Sequence, residues 1–474
     1  MTPLRNFIGG TWTESADPVR LDVVNPATEE VVARIPAGSP LDVNKAVTAA
    51  TVAQPEWHAY PVAERVHLVD AWADGIAEHA AELAELECQE MGKPAAAGRF
   101  FVAGGVAALK ASLADAATYS FETSTMHDGG GTTRIIRNPL GVAAVITPWN
   151  FPVAAVLSAV GALLVAGNTI VVKPSEKSPL STARLFELLT LPPGVANLVL
   201  GDGRAGEPLT EHPGVGLIHF TGSVPVGRAI GAKAGHGLRR ALLELGGKDP
   251  VIVDTGVDPV VTAQAVAHGT FVNTGQICTS MERIYVHRDI ATPFIDALVT
   301  AAETYTLGDG DDEAKMLGPL VDARRRDVVH AHVTDAVARG AKVHTGGVLP
   351  GGKGFYYPPT VLTDVDDTML VMTEETFGPV APVRIVDSFE DGLRLAGRSR
   401  FGLAATIYTD NPAHAKAAET LPAGIIWINQ WQGGGPDRVF EPAGDSGVGA
   451  VGGHAAYDAA TRPSAIHREP GLVT

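Results

Sequence analysis

Two short segments of this 474-residue chain carry residue types that could do covalent chemistry: Glu244-Leu245-Gly246-Gly247-Lys248 and Gly275-Gln276-Ile277-Cys278-Thr279. The chain has only 2 cysteines, and one bracketed by small and polar residues reads first as a nucleophile. A thiolate can attack an electrophilic carbonyl carbon and hold the acyl group as a thioester, which a carboxylate can release by activating water. Glu244 ends a predicted strand and precedes two glycines. Its carboxylate then stands at the C-terminal edge of a sheet, where α/β proteins bind ligands, or is a strand-end surface charge next to a turn. The other cysteine, Cys88, sits in the amphipathic stretch Leu86 to Met91 and reads as inert core.

Carbonyl attack generates an oxyanion, which needs fixed donors where the charge develops. Asn150 lies between Pro148 and Pro152 in a strand-to-helix turn whose backbone the prolines restrict. It either points its amide at such a charge or caps the helix that begins near Pro152. Gly201-Asp202-Gly203-Arg204-Ala205-Gly206 satisfies a dinucleotide-binding glycine pattern after a strand. The expected acidic residue about twenty positions on is missing, since Val226 stands there.

The elements that must position these residues alternate. Val142 to Thr147 reads as a buried strand, Val153 to Ala166 as a buried helix and Thr169 to Lys173 as a second strand. Strands follow at Ala196 to Leu200, Val215 to Phe220, Arg240 to Leu243 and Pro250 to Val253, which predicts an open, doubly wound parallel sheet. A helix-rich region from about Pro40 to Tyr119 precedes the sheet. After a helix from about Asp258 to Asn273 and then Cys278, a strand at Arg283 to His287, a helix at Ile290 to Thr304 and a strand near Gly424 to Asn429 imply a second α/β domain carrying the nucleophile. Leu140 to Val172 contains no charged residue, but Pro148, Asn150, Pro152 and Asn168 interrupt it before the ~20 apolar residues of a spanning helix accumulate.

Composition narrows the function classes. A formal net charge of −17 argues against nucleic acid or an anionic membrane as partner, and 19% charged with 45% hydrophobic residues is ordinary globular usage. No Cys-x-x-Cys pair and no secretory leader are evident, so a reducing cytoplasm is expected. The 15 histidines do not cluster at ligand spacing, His330 with His332 being the nearest to a pair, and no metal site is expected.

Six motifs in order give the chain a resemblance to the NAD(P)-dependent aldehyde dehydrogenase superfamily. They are Pro148-Trp149-Asn150-Phe151-Pro152, Lys173-Pro174-Ser175-Glu176, Phe220-Thr221-Gly222-Ser223 with Gly227, the two segments already named, and Glu374-Glu375-Thr376-Phe377-Gly378-Pro379. The resemblance implies an NAD-binding domain of residues 1–119 and 139–245, built on a doubly wound parallel sheet. It further implies an α/β catalytic domain of residues 246–440 and a small β oligomerisation element from residues 120–138 and 455–474, for a homodimer or homotetramer. The alternative for Ser120 to Asn138 is a surface loop. Oxidation of an aldehyde to a carboxylic acid is implied, with Cys278 as nucleophile, Glu244 as base for hydrolysis, and Asn150 with the Cys278 N–H as oxyanion hole. The family's CoA-acylating members generally lack a glutamate at this point, so water is the implied acceptor.

For the cofactor, the resemblance points to Thr147, Trp149, Lys173, Ser175, Glu176, Gly206, Phe220, Gly222, Ser223, Gly227, Gly246, Glu375 and Phe377. The pyrophosphate would lie by the helix that opens at Ser223, where free N–H groups favour anions. Glu176 would accept the ribose hydroxyls and repel a 2′-phosphate, so NAD is expected over NADP. Phe151, Ala155, Ser158, Ile277, Thr279 and Trp431 would line the substrate pocket. Small residues at Ala155, Ser158 and Gly433 to Gly435 suggest a wide apolar tunnel for an aromatic or long aliphatic aldehyde, unless Ser158 and the glycines only accommodate a shifted C-terminal loop. An NADP-dependent semialdehyde dehydrogenase and an inactive scaffold of the same fold are the competing readings. The chain departs from the family at Pro442 to Gly449, where the usual Pro-Phe-Gly-Gly-x-Lys-x-Ser-Gly pattern is expected to have lost its aromatic and its lysine.

Overall fold

Parallel strands buried on both faces must read as continuous apolar runs, and Val142–Ile146, Thr169–Lys173 and Ala196–Leu198 are buried at every position. The computed structural model describes residues 4–310, 312, 315–434 and 438–470. In it these strands form the middle of an 8-stranded sheet whose order is Thr11–Thr13, Asn6–Ile8, Ala196–Leu198, Thr169–Lys173, Val142–Ile146, Val215–Thr221, Arg240–Glu244 and Gly447–Val448. The strands from Ala196–Leu198 to Arg240–Glu244 are parallel. The chain enters at Val142–Ile146, winds outward on one side, and returns to the other at Val215–Thr221. The strand order therefore reverses between Ile146 and Phe220, a switch point at which the sheet's C-terminal ends open a crevice.

Successive strand residues face opposite layers of core. Val142, Ala144 and Ile146 pack with Val43, Val47 and Ile230, while Ala143 and Val145 pack with Trp72, Val102 and Leu157. The four helices Pro40–Ala59, Val62–Glu78, Ala80–Met91 and Ala95–Asp115 occupy the predicted helical region. The last is long and apolar enough by length and composition to cross a membrane, but its Val102, Val106, Leu109 and Leu113 are buried in that core.

At Glu244 the chain leaves the first sheet, and at Asp249 it begins the second. This sheet has 7 strands in the order Lys342–Thr345, Thr360–Thr363, Val380–Val386, Met281–His287, Asp249–Val253, Ala404–Tyr408 and Ile425–Ile428. Only the Lys342–Thr345 strand runs antiparallel to its neighbour. A 3-stranded antiparallel sheet joins Glu122–Met126, Thr132–Pro139 and Thr461–Arg468, so Ser120 to Asn138 is a strand excursion and not a loop. Its C-terminal strand starts only at Thr461, because Gly453–Ala460 is a helix packed toward Pro152–Val165; residues 471–474 lie outside the described residues.

Asn168, read from the sequence only as an interruption, turns out to be a fully bonded buried residue. Its Oδ1 accepts the N–H groups of Leu140 (2.7 Å) and Gly141 (3.1 Å), and its Nδ2 donates to the carbonyls of Leu163 (3.1 Å) and Ala460 (3.0 Å). It thereby ties the start of the central strand, the end of the helix before it and the C-terminal helix together. Asn168→Ala orphans these groups and is expected to lower the unfolding free energy by about 2–4 kcal/mol. An unchanged urea midpoint would contradict this role.

Candidate active site

The nucleophile loop is held in an unusual backbone conformation. The helix Pro259–Phe271, capped by Asp258, is followed by Asn273, Thr274 and Gly275 at φ of 53°, 57° and 70°. Two consecutive non-glycine residues in the left-handed region cost on the order of 1–3 kcal/mol each and persist only where surroundings over-determine them. Here the Thr274 hydroxyl donates to the Gly318 carbonyl (2.9 Å), Gln276 Oε1 accepts the Val321 N–H (2.9 Å), and Gln276 Nε2 donates to the Asn273 carbonyl (3.1 Å). The result is a rigid approach to Cys278, which is partly exposed between the buried Ile277 and Ser280. Burial, and then the carboxyl groups of Asp249, Glu375 and Glu244, push its thiol up to about 12.

Asn150 reaches this loop from the first domain. Its Nδ2 donates to the Gln276 carbonyl at 2.9 Å, and Asn273 Nδ2 donates back toward the Asn150 carbonyl at 3.5 Å. The helix Pro152–Val165 has Phe151 at its N-cap with no side-chain capping bond, so the capping alternative for Asn150 is not realised. One amide hydrogen orients the side chain against the nucleophile loop, and the other is available to an oxyanion.

Glu244 arrives from the crossing between sheets. It is half-buried, its Oε1 has no hydrogen-bond partner, and burial followed by the nearby Glu441 carboxylate pushes its carboxyl up to about 8. A Cβ at Gly247 would overlap the Cys278 carbonyl oxygen. The two sequence motifs are thus packed backbone to backbone, which only glycine permits. Glu375 lies against the same crossing, its Oε1 accepting the Gly247 N–H at 3.2 Å, and burial pushes its carboxyl up to about 7.

The atypical C-terminal segment takes part directly. Gly447 pairs with Glu244, Leu245 N–H donates to the Ser446 carbonyl (2.9 Å), and the Ser446 hydroxyl donates to the Gly246 carbonyl (2.8 Å). With Ser446-Gly447 anchored by that pairing, counting back along the family pattern puts Phe440 at the aromatic position and Gly444 at the lysine. The aromatic is therefore kept, and the proline, both glycines and the lysine are replaced by Val439, Glu441, Pro442 and Gly444, correcting the expectation from Pro442.

The residues expected to hold a dinucleotide line the C-terminal ends of the first sheet and fit one. Thr147 has a buried hydroxyl without a partner, and Trp149 meets Phe377 edge to face at 5.5 Å. The helix Val224–His236 opens at Ser223 with no side-chain cap, leaving its first N–H groups for an anion. Gly227 is pressed on Leu245, where a Cβ would overlap, and Gly222 N–H donates to the Glu244 carbonyl at 3.0 Å. Phe220 is buried beneath Gly222. Lys173 is buried and spends its ammonium on the carbonyls of Pro174 (2.6 Å) and Gly201 (2.8 Å), with Gly206 against its methylenes. Ser175 is buried and Glu176 is partly exposed in the turn that follows.

On the substrate side, Phe151 stacks obliquely on Phe101 at 4.7 Å, and Ala155 is half-buried. Ser158 is exposed with its hydroxyl turned back to the Ala155 carbonyl (3.2 Å). Trp431 Nε1 donates to the Thr279 carbonyl at 3.0 Å and Gln432 Nε2 to the Thr279 hydroxyl at 3.2 Å, so this wall abuts the residue after the nucleophile. Gly435 lies outside the described residues. Sequence reasoning missed Glu441, Ser446 and Glu282. Ser446 sits in the segment set aside as atypical and Glu441 immediately before it, while Glu282 carried only its nearness to Cys278 as a signal.

The chain matches the model of the Aldehyde dehydrogenase family over residues 12–466. It belongs to that family. Among curated relatives it is 38% identical to 2-hydroxymuconic semialdehyde dehydrogenase of Pseudomonas sp. strain CF600, over 96% of both chains. It is 38% identical to lactaldehyde dehydrogenase of Escherichia coli K12, over 90% of both. The crystal structure of Escherichia coli lactaldehyde dehydrogenase superposes with a TM-score of 0.96 at 35% identity, covering 99% of this chain and 100% of that one. A 3,6-anhydro-L-galactose dehydrogenase solved with NADP (TM-score 0.95, 33% identity, 98% and 100% covered) and a Staphylococcus aureus betaine aldehyde dehydrogenase solved with NAD+ (TM-score 0.93, 29% identity, 99% and 95% covered) share the fold.

Burial of Glu244 has a consequence for stability. Its carboxyl is raised from 4.5 to about 8 in the folded chain, so between those values the native state holds a proton that the unfolded chain has released. Stability contributed at this site therefore falls as pH rises from about 4.5 through about 8. Glu244→Gln, which cannot ionise, is expected to gain on the native protein by at least ~1 kcal/mol between pH 5 and pH 9 in urea unfolding. A stability difference independent of pH would contradict the raised carboxyl.

Proposed function

We propose that this family member is an NAD-preferring, non-acylating aldehyde dehydrogenase. The observation that carries the reading is the convergence of Cys278, Asn150 and Glu244, each from a different segment, on one loop through the Asn150–Gln276 bond and the Gly247–Cys278 contact.

In this reading Cys278 loses its thiol proton to solvent, the thiolate attacks the aldehyde carbon, and the resulting oxyanion is held by an Asn150 amide hydrogen and the Cys278 N–H. NAD, when bound, supplies a hydride acceptor and a positive charge. Loss of hydride from the former aldehyde carbon leaves a thioester on Cys278. Ionised Glu244 then takes a proton from water, hydroxide adds to the thioester carbon, and the carboxylic acid leaves as Cys278 recovers its thiol. A carboxyl raised to about 8 is a stronger base than an ordinary glutamate while still partly ionised near neutrality, which suits this step.

Glu176 supports NAD over NADP, since a carboxylate there accepts ribose hydroxyls and opposes a phosphate dianion. Aromatic side chains on both sides of the nucleophile, Phe151 with Phe101 and Trp431, support an aromatic or long aliphatic aldehyde. The pocket walls Phe151, Ala155, Ser158 and Trp431 offer no cation to a carboxylate-bearing semialdehyde. The three-stranded sheet, whose strand Glu122–Met126 is exposed at every position on its free edge, supports pairing between copies as a dimer or tetramer.

Initial rates with NAD and NADP across an aldehyde series test the reading. We expect NAD to be preferred and kcat/KM to rise at least ~10-fold from a two-carbon to a benzylic or eight-carbon aldehyde. Equal use of both nucleotides, or a preference for short or carboxylate-bearing aldehydes, would overturn the corresponding part.

A further inference from the structure

Behind the site lies a buried polar network that the reaction scheme does not use. Lys248 Nζ donates to Glu282 Oε2 at 2.6 Å and to the Thr376 hydroxyl at 3.1 Å, and both charged residues are buried. The same Glu282 carboxylate accepts two consecutive backbone N–H groups, Thr376 N–H on Oε2 and Phe377 N–H on Oε1, each at 2.8 Å. His332 Nδ1 meets the Thr376 hydroxyl at 3.2 Å from the far side. Phe377 itself has a φ of 50°, a conformation a non-glycine residue keeps only under outside restraint.

These contacts join three motifs that are far apart in sequence. Lys248 closes the Glu244 segment, Glu282 follows the Cys278 segment, and Thr376 and Phe377 belong to the Glu375 loop. We propose that Glu282, with its charge balanced by Lys248, is a positioning residue that sets the Glu375–Phe377 loop for dinucleotide binding and registers it against the nucleophile. The proposal rests on the reading above that Glu375 and Phe377 contact the cofactor.

A carboxylate is suited to the task because only an acceptor with two oxygens can take two adjacent N–H groups and a lysine at once. Lys248 is needed because an isolated buried anion would not stay ionised. Removing the Glu282 charge leaves the Lys248 ammonium buried without its partner and frees one of the two loop N–H groups. The loop can then relax away from the strained Phe377 conformation.

The test is Glu282→Gln, assayed in three ways: NAD affinity by calorimetry, the rate of Cys278 alkylation by iodoacetamide without nucleotide, and the thermal midpoint. We expect NAD to bind about 10-fold more weakly or worse while alkylation is not slowed, because the displaced loop carries nucleotide contacts and its Glu375 carboxyl opposes ionisation of the thiol. The double variant Lys248→Met/Glu282→Gln removes both charges. It should recover part of the lost affinity and remain weaker than the native protein, and it carries the test alone if the single variant does not fold. Native NAD affinity in either variant would overturn the proposal, as would parallel losses of affinity, alkylation rate and thermal midpoint. If the native protein binds no dinucleotide, the cofactor reading itself fails and this proposal with it, an outcome separate from unchanged variants.

Discussion

The site depends on one close approach: the backbone of Gly247 lies against the carbonyl of Cys278. It exists because the chain leaves the first sheet at Glu244 and enters the second at Asp249, with only Leu245 to Lys248 to cross between them. A side chain at position 247 would force the two domains' motifs apart. With glycine there, Glu244 at the edge of one sheet and Cys278 on a loop before a strand of the other are brought together. The Asn150–Gln276 hydrogen bond closes the third side, so the donor from the first domain is fixed to the backbone of the second.

That geometry explains the electrostatics. Cys278, Glu244, Glu375 and Asp249 lie close together, and burial shifts each toward its neutral form; neighbouring carboxyl groups add to the shift at Cys278, Glu244 and Glu375, whereas the Ala404 N–H and Arg283 oppose it at Asp249. Concentrated this way, they favour the arrival of positive charge. Burial, with Glu441 beside it, raises the Glu244 carboxyl above that of an exposed strand-end glutamate. Glu441, which precedes the atypical segment and accepts the Gly449 N–H, contributes to that shift.

Much of the fold was legible because parallel strands covered on both faces must be apolar at consecutive positions. The runs at Val142, Thr169, Val215, Arg240 and Pro250 accordingly match observed strands to within a residue or so. The N-terminal strands Asn6–Ile8 and Thr11–Thr13 carried no such signal, being three residues each with mixed exposure. Cys278 and Glu244 were singled out by residue type and neighbouring glycines, and the structure packs their two segments together. Asn273 and Thr274 were not, since nothing in their identity announces a left-handed backbone held by bonds to Gly318, Gln276 and Asn150. The Lys248–Glu282 pair escaped for a related reason: its meaning lies in two backbone N–H groups contributed from almost a hundred residues away, which no local pattern encodes.

The central claim is that acyl transfer and hydrolysis are divided between Cys278 and Glu244, and the most direct measurement is of the intermediate itself. Glu244→Gln, mixed with NAD and a benzylic aldehyde and quenched in acid within the first turnovers, should carry one acyl group, located on Cys278 by peptide mass analysis. Release of one equivalent of NADH should accompany it, followed by turnover slowed by about 100-fold or more. An unacylated Cys278 under conditions where NADH is still formed, or undiminished steady-state turnover, would contradict the account.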